Sequence, residues 1–211
     1  TFFALMFFGT FAILIFEYNH FFKSYNWHES FFYAWFQSSS TRNGGLATMN
    51  VSDFSNPTLL LLCFLMFIGA SPSSVGGGIR TTTFAVVILL IINFAKGHNA
   101  IKVFGRELHE EDIRKSVVVS FLAMLLCFTA VVILNATENF SMMEIMFEVS
   151  SAFGTTGLSM GITPELSTAG KIVIISLMFI GRIGILSFIF LFNRGKLEPK
   201  CHYPKERLIV G

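Results

Sequence analysis

Charge is scarce in this sequence: only 13% of its 211 residues are Asp, Glu, Lys or Arg, against 53% hydrophobic residues and 26 phenylalanines. An ordinary soluble domain carries about 25% charge, so lipid is the solvent such a chain suits. A net charge of +2 implies no general attraction to nucleic acid. Cysteine is sparse too. Cys63, Cys127 and Cys201 lie far apart, the first two inside apolar runs, which argues against disulfides and zinc. None of the five histidines falls mid-span, and no two share metal-ligand spacing. The first apolar stretch lacks a basic leader and a small-residue cleavage site, so it does not read as a signal peptide; the start at Thr1, inside that stretch and without Met, reads as a truncation.

What is present is organised by apolar length. Crossing a bilayer core takes about 20 residues at roughly 1.5 Å each, and runs near that length occur at Phe2 to Phe16, Ser116 to Leu134 and Ile172 to Phe192. The charges cluster between them. Lys96, Lys102, Arg106, Arg114 and Lys115 fall in one connection, and Arg194, Lys196, Lys200, Lys205 and Arg207 in the tail, whereas the connections around Glu17 to Asn26 and Asn135 to Asn139 are poorer in Lys and Arg. The positive-inside rule puts the linker 97–115 and the C-terminus in the cytoplasm of a multi-pass plasma-membrane protein.

The chain repeats itself. Leu65-Met66-Phe67-Ile68-Gly69 recurs letter for letter as Leu177-Met178-Phe179-Ile180-Gly181, an offset of 112 positions. The same offset lays Gly45-Leu46-Ala47 on Gly157-Leu158-Ser159, Ser39 on Ser151, and the first apolar run on the second, which marks a duplicated unit. Each unit has a long apolar run, a stretch too short to span, a Gly/Ser/Thr-rich segment and a further apolar run. The middle must therefore re-enter the membrane. Ser141 to Glu144 fits a capping box opening a short helix through Ser150, and Asn26 to Glu29 has the same form ahead of Phe31 to Gln37. Irregular polar backbone comes after both, and at membrane depth it is tolerated only where it is buried in protein or lines a watery cavity.

Gly154-Thr155-Thr156-Gly157-Leu158 and Arg42-Asn43-Gly44-Gly45 end those short helices. Glycine lets carbonyls turn toward an axis, a dehydrated cation needs rings of such oxygens, and the negative helix C-termini point to the same place. They are the candidate filter, with the ion expected at Asn43, Gly44, Thr155 and Thr156. The second run of the first unit is interrupted: Pro57 to Gly69 is apolar, the segment Ala70, Ser71, Pro72, Ser73, Ser74, Val75, Gly76, Gly77, Gly78, Ile79, Arg80 cannot hold a lipid-facing helix, and Thr81 to Phe94 resumes it. Broken helices of this kind mark ion or substrate sites, so this segment is the candidate gate. The aligned run from Gly181 to Gly195 reads as mostly apolar and continuous. Arg182, near the middle of Ile172 to Phe192, carries a charge that costs at least about 2.5 kcal/mol there; its guanidinium is expected to donate to loop carbonyls between Ala70 and Gly78.

At these residues the chain resembles the Trk/Ktr/HKT superfamily of potassium transporters, most like the KtrB-type membrane subunit. The resemblance is carried by Phe147 to Gly161, Gly76 to Thr83, Gly181-Arg182 and the terminal Tyr203-Pro204 to Gly211, and covers essentially the whole chain. It implies four helix, pore loop, helix repeats around one pseudo-four-fold pore, of which this chain matches the third and fourth. It implies potassium selected by carbonyls around Gly45 and Gly157, and a gate in the broken helix latched by Arg182. It further implies a homodimer with one pore per subunit, controlled by cytoplasmic nucleotide-binding regulatory ring subunits. Two departures stand out: Asn43-Gly44-Gly45-Leu46-Ala47 where the family often has Thr-Ala-Gly-Phe-Asn, and Arg80 where lysine is common.

The fold class expected is all-α integral membrane, with repeated helix, re-entrant pore helix and filter loop, helix units. Its parts are residues 1–96, the third repeat with gate loop 70–80; 97–115, a cytoplasmic linker; 116–195, the fourth repeat; and 196–211, a cytoplasmic tail. Potassium is the expected cargo, with sodium open as a coupling ion, no covalently bound cofactor, membrane lipid as surroundings and no nucleic acid. A sodium or other monovalent cation transporter of the same fold remains an alternative. A tetrameric potassium channel would need Thr-Val-Gly-Tyr-Gly, which is missing. An intramembrane serine protease using Ser71 or Ser73 would need a base at depth, and a phosphate loop at Gly76 to Thr83 would need Gly-Lys-Ser/Thr, so an enzyme is not expected. A module that anchors partners without conducting would tolerate substitution at Gly157.

Overall fold

The computed structural model describes residues 1–42, 44–72, 74, 76–97, 101–103 and 106–185. Asn43, Ser73 and Val75 of the expected filter and gate, and the tail 196–211, lie outside the described residues. Among the described residues seven α-helices follow in order: α1 (Phe2–Glu17), α2 (Trp27–Ser40), α3 (Asn56–Phe67), α4 (Thr81–Ala95), α5 (Glu110–Thr137), α6 (Met142–Gly154) and α7 (Thr168–Ile183). Between α4 and α5 the described chain forms a two-residue antiparallel ladder, Lys102–Val103 with Arg106–Glu107. The helices form two units of one outer helix, one short helix and one inner helix. In the first unit the inner helix is split into α3 and α4, with α4 packed on α5.

α5 is the one described helix long and apolar enough to cross a membrane; α1, α3 and α4 are shorter apolar helices. Its 28 residues reach about 42 Å, more than the roughly 30 Å hydrocarbon core. It begins before the apolar run expected at Ser116, taking the last residues of the expected linker into its first turns. The reason is local: Glu110, Glu111 and Asp112 sit at the positive helix N-terminus, and Lys115 pairs with Glu111 at 3.5 Å. The outward faces of α1, α5 and α7 carry exposed Phe3, Phe11, Ile15, Phe121, Phe128, Ile175 and Phe179. In water such faces would aggregate; against lipid they are satisfied.

Both short helices open on the capping boxes the sequence predicts. The Glu29 carboxylate accepts from the Asn26 amide at 3.1 Å, and Glu144 accepts from the Ser141 amide at 2.9 Å while the Ser141 hydroxyl accepts from Glu144 N at 3.3 Å. Both also run further than the apolar pattern suggests, to Ser40 and Gly154. α6 is the more enclosed. Phe147 and Phe153 are fully buried, the former in the core with Ile13, Leu59, Leu62 and Leu158, the latter with Ile79 and Ala123.

Lipid gives helices no hydrophobic drive to associate, so close backbone approach at small residues carries the packing. A Cβ added to Gly154 would fall 2.4 Å from the Met66 carbonyl, and one added to Gly181 would fall 2.1 Å from the Phe153 carbonyl. α3, α6 and α7 are thus locked at van der Waals contact. α7 ends at Gly184, whose φ of +90° leaves the helical region. This corrects the expectation of a continuous inner helix from Gly181 to Gly195: it is interrupted at a glycine, and residues 186–195 lie outside the described residues.

Each unit also carries a carboxylate clamp. Glu17, at the end of α1, accepts from the amide and hydroxyl of Ser55, the residue capping α3, at 2.8 and 2.7 Å. Glu138, just past α5, accepts from the amide of Ser167, the α7 cap, at 3.2 Å, and from its hydroxyl. The clamps fix the outer helix of each unit to the start of its inner helix.

Candidate functional site

The two predicted filter segments are stacked against each other. After α2, the amides of Gly44 and Gly45 both donate to the Ser40 carbonyl, at 2.9 and 3.3 Å, and the Ser40 hydroxyl donates to the Leu46 carbonyl. After α6, the Thr155 and Thr156 amides donate to Ala152 and Ser151 at 3.1 and 3.0 Å. Gly45 at φ +62° and Gly157 at φ +92° take the left-handed conformations only glycine adopts without strain. A Cβ on Gly45 would lie 2.4 Å from the Thr156 carbonyl oxygen, and one on Gly157 would lie 3.7 Å from Gly45 Cα. Two backbones therefore meet edge to edge at the C-terminal, negative ends of two short helices.

Polar groups are left over in this region. Among the described residues, the buried side-chain nitrogens and oxygens without a partner are Gln37 Nε2 and Oε1, Arg42 Nε and Nη2, and Thr156 Oγ1, all in α2 or the filter segments. Native interiors pair nearly all such groups, so their concentration here marks a place where polar ligands are expected. Gln37 escaped the sequence reading because nothing in an α2 pattern of Phe, Ser and Gln distinguishes a buried amide from an exposed one.

On the far side of the filter, buried Glu148 of α6 accepts from the hydroxyl of Ser159 and from that of Thr163 at 3.0 Å. The Ser52 hydroxyl donates to the Met160 carbonyl at 3.2 Å, tying the two exit loops together. A carboxylate inside an apolar unit was the available signal for Glu148, and only its place on α6 tells what it holds.

The candidate gate is a closed backbone loop under the filter. Ile79 N donates to Phe67 O at 3.1 Å, Ala70 N to Gly77 O at 3.4 Å and Thr81 N to Ala70 O at 3.2 Å, so the loop is cinched at its base. Its buried side is held by both candidate filter segments. The Gly77 amide donates to Thr155 Oγ1 at 2.8 Å, and Arg42 Nη1 donates to the Gly69 carbonyl at 3.4 Å. Gly77 is wedged so tightly that a Cβ there would sit 2.8 Å from the Thr155 side chain and 3.0 Å from the Gly181 carbonyl. Ser71 and Gly76 are half-buried, while Pro72 and Ser74 are exposed. Beneath lies a cavity of about 210 Å³ bordered by Gly78, Arg80, Thr83, Phe153, Gly181 and Gly184.

Among the described residues Arg182 makes none of the bonds expected of it. It is exposed in the last turn of α7, and among the described residues its guanidinium has no hydrogen-bond partner. The α7 contact with the loop comes instead from the backbone of Gly181, one residue earlier. The buried arginine that donates into the loop is Arg42, placed by α2 rather than α7. Arg80 is exposed and precedes the first turn of α4. Among the described residues no cluster of three His, Cys, Asp or Glu stands together to hold a metal ion.

Comparison with known proteins agrees with this architecture. Over all 211 residues the chain is 56% identical to Ktr system potassium uptake protein D of Bacillus subtilis (strain 168), covering 100% of this chain and 47% of that protein. It is 36% identical over 182 residues to potassium/sodium uptake protein NtpJ of Enterococcus hirae, covering 83% of this chain and 40% of that one. The crystal structure of the potassium transporter TrkH from Vibrio parahaemolyticus superposes with a TM-score of 0.74 at 21% identity, over 94% of this chain and 43% of that one, showing the same all-helical pore-loop fold. The chain thus spans about half the length of the relatives it matches. With the TrkH family profile, cation transport protein, matching residues 2–200, this chain belongs to the TrkH family of cation transporters.

Proposed function

We propose that this chain forms the third and fourth repeats of a plasma-membrane potassium-uptake protein, with a carbonyl-lined filter and an intramembrane gate. The observation that carries the reading is the pairing of Gly45 against Thr156 and Gly157, two glycine-bent backbones at the negative ends of two short helices. Such a site replaces the water shell of a monovalent cation with main-chain oxygens. Potassium is dehydrated there and enters a watery cavity under the loop 70–80, which must swing aside. Arg80 and Arg182, both exposed beside that cavity or next to its lining, supply positive charge on the cytoplasmic side. The linker from 97 and the tail are assigned to the cytoplasm, a reading their Lys and Arg content supports.

The names of the relatives support the cargo: Ktr system proteins of potassium uptake, and in one case potassium/sodium uptake. A second reading, sodium admitted with or instead of potassium, is favoured by Gly44 and Leu46 in the first filter, where the family it resembles often has Ala and Phe. Homodimer assembly and a cytoplasmic nucleotide-binding ring rest on the family resemblance and belong to the same proposal.

The test is potassium-limited growth of an uptake-deficient bacterial strain expressing the full-length protein, beside Gly157→Ser. The φ of +92° makes any side chain there strained within the carbonyl ring. Rescue that Gly157→Ser loses, or turns equally sensitive to sodium, is expected. Unchanged potassium preference in a well-expressed variant would remove Gly157 from the filter.

A further inference from the structure

We propose that Thr155 couples filter and gate: its main chain belongs to the filter while its hydroxyl holds the loop closed, so ion occupancy and loop position control each other. This rests on the potassium-transport reading and adds a mechanism to it. Thr155 adopts φ +50° and ψ 38°, the only described non-glycine residue with positive φ. A β-branched residue rarely enters that region unless its surroundings hold it there. Here the restraints come from two directions. The amides of Thr155 and Thr156 bind back into α6, and Thr155 Oγ1 accepts the Gly77 amide at 2.8 Å.

Gly77 is buried and sits in no helix, so the Thr155 hydroxyl is what satisfies its amide. Moving the loop away leaves that donor unpaired and frees the Thr155 side chain, which loosens the strained residue at the base of the filter. Conversely, an ion held by the Thr155 and Thr156 carbonyls fixes the backbone in the geometry that keeps the hydroxyl aimed at Gly77. A ligand that favours one of two states shifts the population toward it, and the effect is reciprocal. Arg42 gives the other filter a parallel hold on the loop through Gly69, at the point where α3 breaks. The filter and the loop thus form one two-state element, tethered at Gly69 and at Gly77.

The experiment is hydrogen exchange read by mass spectrometry over the segment 67–81, in the full-length protein in lipid nanodiscs, across a potassium titration against a bulky organic cation, with potassium binding measured in parallel by calorimetry. In the wild type, protection of 67–81 should rise as potassium binds. Thr155→Val, which keeps shape and loses the hydroxyl, should exchange about threefold to tenfold faster without potassium and gain no protection with it. Thr155→Ser, which keeps the hydroxyl, should restore both. A valine variant exchanging like the wild type at every potassium level overturns the latch. Wild-type protection that ignores potassium, although calorimetry detects binding, overturns the coupling and leaves the transport reading standing; this arm needs no variant to fold. Absence of potassium binding overturns the transport reading and the coupling with it.

Discussion

Leu65 to Gly69 and Leu177 to Gly181 are the same five letters in two conformations. In the first unit the helix ends at Phe67, and Gly69 turns to φ +28°; in the second the helix runs through Gly181 to Ile183. Propensity within the pentapeptide cannot make that difference, since it is identical. The residues on its C-terminal side make it. Ser71 precedes Pro72, which disfavours helix at the preceding residue, and Gly76 to Gly78 add backbone freedom, whereas Arg182 and Ile183 continue a helix until Gly184. The pseudo-symmetry of the units builds the candidate filter, and its violation at this one place builds the loop beneath it.

The largest effect expected from probing this comparison lies at the filter glycines. Gly45→Ala meets both a left-handed φ and the Thr156 carbonyl at 2.4 Å, whereas Gly157→Ala meets the φ but open space to 3.7 Å. Gly45→Ala should therefore abolish potassium-limited growth, and Gly157→Ala should retain weaker uptake with reduced preference for potassium. Uptake assays with matched expression check the order; a more damaging Gly157→Ala would mean that the carbonyl ring, and not the contact between filters, limits function.

The repeated pentapeptide gives a finer test. Gly181→Ala keeps helical geometry but drives a Cβ to 2.1 Å from the Phe153 carbonyl, an overpacking expected to cost about 1 to 3 kcal/mol and to lower the melting temperature in detergent. Gly69→Ala drives its Cβ to 2.0 Å from the Gly77 carbonyl inside the loop. It should displace the loop and raise unregulated flux into proteoliposomes, with a smaller change in melting temperature. Flux unchanged by Gly69→Ala would remove the loop as a barrier.

Much of this architecture is legible in the sequence because it depends on local signals. Asn26 with Glu29 and Ser141 with Glu144 announce helix starts, Pro72 and the three glycines announce a break, and Gly45 and Gly157 share the repeat offset. The features that escape depend on direction in space. Arg182 looks like the loop's partner by its depth in an apolar run, yet α7 turns its backbone at Gly181 toward the loop and its arginine away. Arg42, on a loop whose side chains have no period, reaches Gly69 instead. The clamps are hidden for another reason: Ser55 and Ser167 keep the repeat offset, but Glu17 and Glu138 do not, because the first unit is longer between its outer and inner helices, the extra turn Phe21–Ser24 supplying part of the difference.

Those clamps supply the smallest effect and the most direct test of whether the two units are built alike. Glu17 is fully buried and accepts from Ser55 twice, from the Phe21 amide at 3.4 Å and from His20 Nδ1 at 3.2 Å. Glutamine there replaces an accepting oxygen with a donor at a fully buried position and leaves half-buried Ser55 and Phe21 without their acceptor. Glu138 is half-buried and bonds Ser167, whose groups water can reach when the carboxylate changes. Glu17→Gln should therefore cost about 2 kcal/mol and Glu138→Gln about 1 kcal/mol or less, read as melting temperatures of the full-length protein in one detergent. Equal losses would show that the clamp's worth lies in fixing the outer helix to the inner helix, which both share, and not in the burial that distinguishes them.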